Sequence, residues 1–391
     1  MENVVIVSSV RTPVGAFQGA YASLTAPRLG AIALKEALNR AGVGADEVDE
    51  CVMGEVLTAG VGQAPARQAA LGAGLKNSTP CMTINKVCGS GLKAVMLAAD
   101  SIRLGETKIA VAGGQENMTL APHLLENSRT GYRMGNAPIT DSMVKDGLWD
   151  PYNNFHMGSA AEICVKENHF TRQQQDEFAI NSYKKAQEAW NKGLFKNEIV
   201  PVVIEGKKGA VTVERDEDPF NTNFDKIPSL RPAFEKDGTI TAANASKIND
   251  GAAAHVLMAE SVAKARGVKP LARIVAHGTF AHDPKYFTTA PAGAIRGALK
   301  KANLKISDID LWEINEAFAA VTMVAMKDLE IPAERVNVHG GAIAIGHPIG
   351  ASGARLLATL VHALHTQNKR YGLATLCIGG GEAVALIVER V

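Results

Sequence analysis

The chain has 391 residues, with 41 Lys and Arg against 40 Asp and Glu and a formal net charge of +1. At roughly 100–200 residues per domain this length holds two or three domains with ample core, and the balanced charge gives no electrostatic reason to expect nucleic acid or an acidic membrane as a partner. Five cysteines, odd in number and scattered, form neither a disulfide framework nor a CxxC metal pattern, which points to a reducing compartment and to reactivity as the use of any special cysteine.

From the start, Val4 to Val10 is a buried-strand run without the basic and apolar regions of a secretory signal. No apolar stretch reaches the roughly 18–20 residues that cross a bilayer, so a cytoplasmic protein is expected. Ala26 to Ala41 carries Leu29, Ile32, Ala33 and Ala37 at helical spacing before Gly42 ends it, and the strand Glu50 to Val56 follows. Cys88-Gly-Ser-Gly then opens a helix with Leu92, Val95, Met96, Ala99 and Ile102 apolar and Gly105 as its stop; the strand from Ile109 runs into Gly113 and Gly114. Such alternation predicts an α/β layered core. Between about Thr119 and Asn249 the chain is richer in Pro, Asn, Asp and Lys, and its strand signals are weak. This stretch reads as a loop-rich insertion with one amphipathic helix, capped by Thr171 and Gln174, facing inward with Phe178, Tyr183, Ala186 and Trp190, and stopped at Gly193. In the last third, Leu311 to Ile314 is strand-like, the turn Gly346-His-Pro-Ile-Gly-Ala-Ser-Gly opens a helix with Leu356, Leu357, Leu360, Val361 and Leu364, and the strand from Leu373 runs through Cys377 into Gly379.

The units that begin near Cys88 and near Gly346 share one order: small-residue turn, helix, strand, glycine turn. A duplicated fold follows, with the two turns facing each other across a pseudo-twofold axis and Cys88 brought near His347. At a helix N-terminus the free N–H groups and the dipole stabilise a thiolate, which is a nucleophile's setting; taken alone, Cys88 reads better as a small buried hydrophobe, the usual fate of a free cysteine. His347 is readable as a neutral proton acceptor or as a structural histidine in a tight turn. Cys377 lies at the C-terminal end of a strand, where open α/β sheets place ligands. Asn315 suits either a water-orienting amide or a helix N-cap, and His362 with His365 suits a solvated helix face rather than a metal site. The glycine clusters match neither GxGxxG followed by an acid nor GxxxxGK[ST], so dinucleotide and P-loop readings fail.

Four segments, Asn85 to Ala94, Asn315 to Ala319, Asn337 to Arg355 and Cys377 to Gly381, resemble the signature motifs of the thiolase family in order and spacing, and the resemblance extends from Arg11-Thr-Pro to the C-terminus. It implies the family's duplicated α/β core of five αβαβα layers. Residues 1–118 and 250–268 would form an N-terminal half carrying Cys88, residues 119–249 a loop domain over coenzyme A, and residues 269–391 a C-terminal half carrying Asn315, His347 and Cys377. The implied chemistry is a ping-pong exchange of acyl groups between thiols. Cys88 is the nucleophile, His347 its proton acceptor, and Cys377 the acid/base at the second acetyl group. His347 with a water on Asn315 forms one oxyanion hole, and backbone N–H groups of Cys88 and Gly379 form the other. Leu148, His156, Met157, Phe234, Ser246, Ala317 and Phe318 match substrate-lining positions.

The His-Met-Gly loop and Asn117 to His123 resemble the short-chain branch, implying acetyl-CoA, acetoacetyl-CoA and coenzyme A as partners. No permanently bound cofactor or metal is expected, and the assembly is expected to be a homotetramer, a dimer of dimers. Rival expectations are a degradative 3-ketoacyl-CoA thiolase of broader chain length and a silent acyl-CoA-binding module; a ketoacyl synthase would lack the cysteine at position 377. Three departures stand out: His339 where many relatives have asparagine, Lys247 after Ser246, which offers a charge to a phosphate, and Asp218-Pro-Phe-Asn in a stretch where some members carry an arginine.

Overall fold

The computed structural model describes residues 2–207 and 209–391. Nine strands follow one hydrogen-bonded path. In chain order they are β1 (Val4–Arg11), β2 (Glu50–Gly54), β3 (Cys81–Ile84), β4 (Ile109–Asn117), β5 (Asn249–Ala259), β6 (Ala272–Ala281), β7 (Leu311–Ile314), β8 (Tyr371–Ile378) and β9 (Glu382–Arg390). Their spatial order is β7-β8-β9-β6-β1-β5-β4-β2-β3, with a short strand, Gly15–Ala16, paired to β5. The contact between β1 and β6 spans only Val4 to Ile6, so the sheet divides there into an N-terminal and a C-terminal half. Parallel pairs lie toward the outer edge of each half: β2 with both β3 and β4 in the first, and β7 with β8 in the second.

The helices complete five layers. Helices α1 (Ala26–Ala41) and α2 (Pro65–Gly72) cover the outer face of the first half, while α6 (Ala290–Ala302) and α7 (Ala319–Leu329) cover that of the second. Helices α3 (Ser90–Leu104) and α9 (Ser352–Thr366) lie between the two half-sheets. Because both faces of the strands are covered, they read as near-continuous apolar runs, and the period of two decides which core each residue joins. In β1, Val4 and Ile6 face the central helices while Val5 and Val7 face α1; in β9, Val384, Leu386 and Val388 face the centre while Ala383, Ala385 and Ile387 face α6.

The middle region holds two helices, α4 (Met157–Asn168) and α5 (Arg172–Asn191), where the sequence pattern showed one. In α5 the Thr171 hydroxyl accepts from Gln174 N at 3.2 Å and Gln174 Oε1 accepts from Thr171 N at 2.8 Å, the anticipated capping box. The short helix α8 (Ala342–Ile345) precedes His347. Arg11 ties this region to the core: fully buried, its guanidinium meets Glu198 at 2.5 Å and Asp216 at 2.7 Å.

The central helices cross at their first turns with no room for a side chain. A Cβ on Gly91 would lie 2.9 Å from Ala354 N, and one on Gly353 would lie 2.4 Å from Leu92 N. Each helix therefore uses the third residue of its Gly-Ser-Gly or Ala-Ser-Gly turn to admit the other's backbone, which gives the sequence repeat its physical purpose. Helix α9, with both half-sheets and α3 around it, is buried on nearly every face. Contrary to expectation, His362 and His365 are therefore not a solvated face: their Nε2 atoms pair with Ser9 O and Leu271 O, each at 2.8 Å.

Overpacking a close contact costs about 1–3 kcal/mol, whereas Gly297 in α6 has nothing within 4 Å of its would-be Cβ. Chemical denaturation should show Gly353→Ala losing stability in that range and Gly297→Ala unchanged or gaining up to about 1 kcal/mol from helix propensity.

Candidate active site

Cys88 and His347, from the two halves, line a single cavity of about 200 Å³ together with Gly379. Its walls include Leu148, His156, Met157, Phe234, Ser246, Ala317 and Phe318, each anticipated from sequence, and Met118, Ala245, Lys247, Ile248, Phe287 and Ile349 in addition. A more open cavity of about 420 Å³ shares Phe234, Ala245, Ser246, Lys247 and Ile248 with it, so the two form a continuous path. Asn315 and Cys377 stand behind the wall, at 0% and 1% exposure.

Strand ends position these groups. Asn315 follows β7 and Cys377 is the next-to-last residue of β8, neighbouring parallel strands joined by Asn315 N donating to Thr375 O at 3.0 Å. The alternative of Asn315 as a helix cap is excluded, since α7 begins at Ala319 with Phe318 as its N-cap. Ser246 N donates to Ala317 O at 2.9 Å, which docks the middle region onto the segment after Asn315. His156 caps α4, its Nδ1 accepting from Gly158 N at 3.0 Å, and its ring stacks on Phe234 at 4.8 Å. Glycine is required at 158 because a Cβ there would lie 2.2 Å from the Phe234 ring.

The turn before Cys88 is strained. Val87 has φ 44°, an unusual value for a β-branched residue, and such backbone costs on the order of 1–3 kcal/mol. Helix α3 starts only at Ser90, with Gly89 as its N-cap, so Cys88 lies outside the first turn. The expectation of a dipole-stabilised thiolate is thereby corrected. Burial pushes the thiol up to about 11, and hydrogen bonds from Gly379 N–H and its own N–H offset only part of that. Cys377 is pushed up as well, by burial first and then by the proximity of Cys88.

His347 is pushed down to about 3, by burial first and then by the Arg355 charge, so its ring is neutral. The Ser352 hydroxyl donates to Pro348 O at 2.8 Å and is free to accept Nδ1–H of His347, 2.5 Å away. That leaves Nε2 as the acceptor, toward which Asn315 Nδ2 points at 3.5 Å. Asn315 Oδ1 has no partner within the protein.

Three further buried side chains hold the site together. Asn249 Oδ1 accepts from His347 N at 3.0 Å, and a Cβ at Gly346, where φ is 117°, would meet that amide at 2.5 Å. Glu116 accepts from Val56 N, Leu57 N and, across the two halves, Gly350 N at 2.9 Å. Glu316 accepts from Ser182 Oγ, Asn337 Nδ2 and Ile343 N, fixing the stretch that leads to His347. Sequence reasoning missed these three and Ser352. The only local signals were the acid Glu116 after the glycines of β4 and the serine shared by both turns.

The three departures also find their places. Lys247 Nζ lies 3.4 Å from Asp218 Oδ1 and over the Tyr183 ring, so its charge is already engaged. His339 is buried edge-on to Phe195. Arg215 lies over the Phe220 ring, the aromatic of the Asp218-Pro-Phe-Asn stretch. Among the described residues, no group of three or more His, Cys, Asp or Glu is placed to hold a metal.

The family models of the thiolase N-terminal and C-terminal domains match residues 4–261 and 268–390. The chain belongs to the thiolase family. Across its full length this thiolase is 54% identical to an acetyl-CoA acetyltransferase of Cupriavidus necator, all of which is covered. Relatives named cytosolic in Gibberella zeae and mitochondrial in Bos taurus are 50% and 49% identical over 99% and 100% of the chain, which covers 98% and 92% of them. A solved thiolase from Ascaris suum in complex with coenzyme A superposes with a TM-score of 0.95 at 42% identity, with both chains covered completely.

Two outcomes follow from the electrostatics. An unpaired buried donor costs about 1–3 kcal/mol, so Ser352→Ala should lower kcat by roughly 10–100-fold with little change in KM. An unchanged kcat would mean that the imidazole is oriented without this hydroxyl. Alkylation of Cys88 by iodoacetamide in the free enzyme should accelerate about tenfold per pH unit through pH ~9.5, because the thiolate fraction rises with pH until the raised pKa is reached. A plateau near neutral pH would reveal a preformed thiolate.

Proposed function

We propose that the chain is an acetyl-CoA C-acetyltransferase, reversibly joining two acetyl-CoA molecules into acetoacetyl-CoA and free coenzyme A. The observation that carries this reading is the convergence of Cys88, His347 and Gly379 on one small apolar cavity, with Cys377 and Asn315 directly behind. Cys88 Sγ attacks the thioester carbonyl while His347 Nε2 takes the thiol proton, and coenzyme A leaves with the acetyl group held on Cys88. With a thiol pushed up and an imidazole pushed down, proton transfer accompanies attack rather than preceding it. His347 hands that proton to the departing coenzyme A sulfur. Cys377, its own proton then passed to the neutral imidazole, removes a proton from the methyl group of a second acetyl-CoA as the thiolate; the carbanion attacks the acetyl carbonyl, and Cys88 is released and takes its proton back from His347. Amides of Cys88 and Gly379 stabilise one oxyanion; His347 and a water on Asn315 stabilise the other.

Residues 119–249 act as the cover over coenzyme A, whose thiol end fits the inner cavity and whose remainder follows the open one past Ser246. Coenzyme A thioesters are substrates, and no cofactor stays bound. The exposed apolar side chains Leu120, Leu125, Tyr132, Met134 and Ile139 support assembly into homotetramers through this segment. Five unpaired cysteines support a cytoplasmic location.

Met157, Phe234 and Phe318 wall the cavity and favour short acyl groups over the longer chains of a degradative relative. Steady-state thiolysis across 3-ketoacyl chain lengths should give acetoacetyl-CoA a kcat/KM at least ~10-fold above that of a medium-chain substrate, given what one pocket discriminates per methylene. Cys88→Ala should abolish both reactions. Equal efficiency with medium chains would favour the broad-specificity enzyme, and activity surviving in Cys88→Ala would defeat the assignment of the nucleophile.

A further inference from the structure

We propose that Cys51 and Cys81 form a second thiol pair, apart from Cys88 and Cys377, which peroxide oxidises to a disulfide. Strands β2 and β3 run parallel with Cys51 directly opposite Cys81. Residues so paired lie about 4.8 Å apart across neighbouring strands, inside the ~4.4–6.8 Å range of Cα separations that a disulfide bridges. Their side chains share the face toward α1 and α2, and each thiol shifts the other's ionisation. Strand β3 is the outermost strand of this half and pairs with β2 over four residues, Cys81 among them.

The two cysteines are unequal in access and charge. Cys51 is fully buried, whereas Cys81 is half-buried and borders an open cavity with Glu55, Thr83 and Asn85. Arg67 of α2 donates from Nη1 to Thr79 O at 3.1 Å, and the Cys81 thiol donates to the same carbonyl at 3.4 Å. The hydrogen bond from Cys51 and then the Arg67 charge favour the Cys81 thiolate, against opposition from burial and Glu50. Cys51 is shifted the other way and remains a thiol. Neither catalytic cysteine has this combination: both are pushed up by burial. The thiol that an oxidant meets first is therefore Cys81.

The chemistry balances with hydrogen peroxide as the oxidant. The Cys81 thiolate attacks one peroxide oxygen, the O–O bond breaks, and hydroxide leaves, taking a proton to become water; Cys81 becomes a sulfenic acid. The Cys51 sulfur then attacks the Cys81 sulfur, the S–O bond breaks, and the Cys51 proton leaves with the hydroxyl as a second water. Two thiols lose two electrons in total, and one peroxide is reduced to two waters.

Tryptic cleavage after Arg40, Arg67, Lys76, Lys86 and Lys93 places Cys51, Cys81 and Cys88 on separate peptides. The full-length enzyme, in its native assembly, is treated with one equivalent of hydrogen peroxide, alkylated, digested without reduction and analysed by mass spectrometry. The expected product is peptide 41–67 joined to peptide 77–86 with the loss of two hydrogens. Cys81→Ser should abolish it while leaving thiolysis unchanged, and in Cys51→Ala dimedone should label Cys81 as the sulfenic acid. Oxidation of Cys88 or Cys377 ahead of Cys81, a Cys81 that stays alkylatable, or a bond from Cys81 to any cysteine other than Cys51 would each overturn the proposal.

Discussion

At the centre of the molecule, Gly91 and Gly353 let the first turns of α3 and α9 approach until backbone meets backbone. Everything at the site is registered to that contact. Cys88 precedes one helix and His347 the other, so their meeting is fixed by a packing constraint with little slack. Glu116 repeats the theme from β4, since its carboxylate reaches Val56 and Leu57 in one half and Gly350 in the other. A Cβ on Gly350 would lie 2.6 Å from that carboxylate, so glycine is again the residue that admits the partner.

Burial sets the chemistry as firmly as packing sets the geometry. A charged imidazole or thiolate is costly in this apolar cavity, and the free site therefore holds a neutral thiol beside a neutral ring. Charge develops only when a thioester oxygen arrives to be stabilised, which suits transition-state rather than ground-state complementarity. Ser352 matters in this account because a neutral imidazole has two tautomers, and the hydroxyl selects the one with Nε2 bare.

Much of this was legible in the chain itself. Double-sided burial made the strands apolar runs, glycine stops marked α1, α3 and α5, and the repeated turn-helix-strand unit announced that Cys88 and His347 would meet. What escaped was tertiary. Helix α4 has its apolar positions at Ala160, Ala161, Cys164 and Val165 but lies in a polar neighbourhood that masked them. His362 and His365 resembled surface residues because nothing local says that a helix is enclosed by two sheets. The helix-dipole argument for Cys88 failed on a two-residue offset, since the thiol precedes the helix and burial then dominates. Asn249, Glu116 and Glu316 act on residues distant in sequence, so no local window exposes them.

The central claim is that Cys88 carries the acetyl group and Cys377 serves only the second half-reaction. It is tested most directly by mixing Cys377→Ala with acetyl-CoA alone, quenching in acid, and mapping the peptides by mass spectrometry. The account predicts a stable acetyl group on the peptide bearing Cys88, with release of an equal amount of free coenzyme A. No acetyl adduct on Cys88 in this variant, or an adduct on another residue, would contradict it.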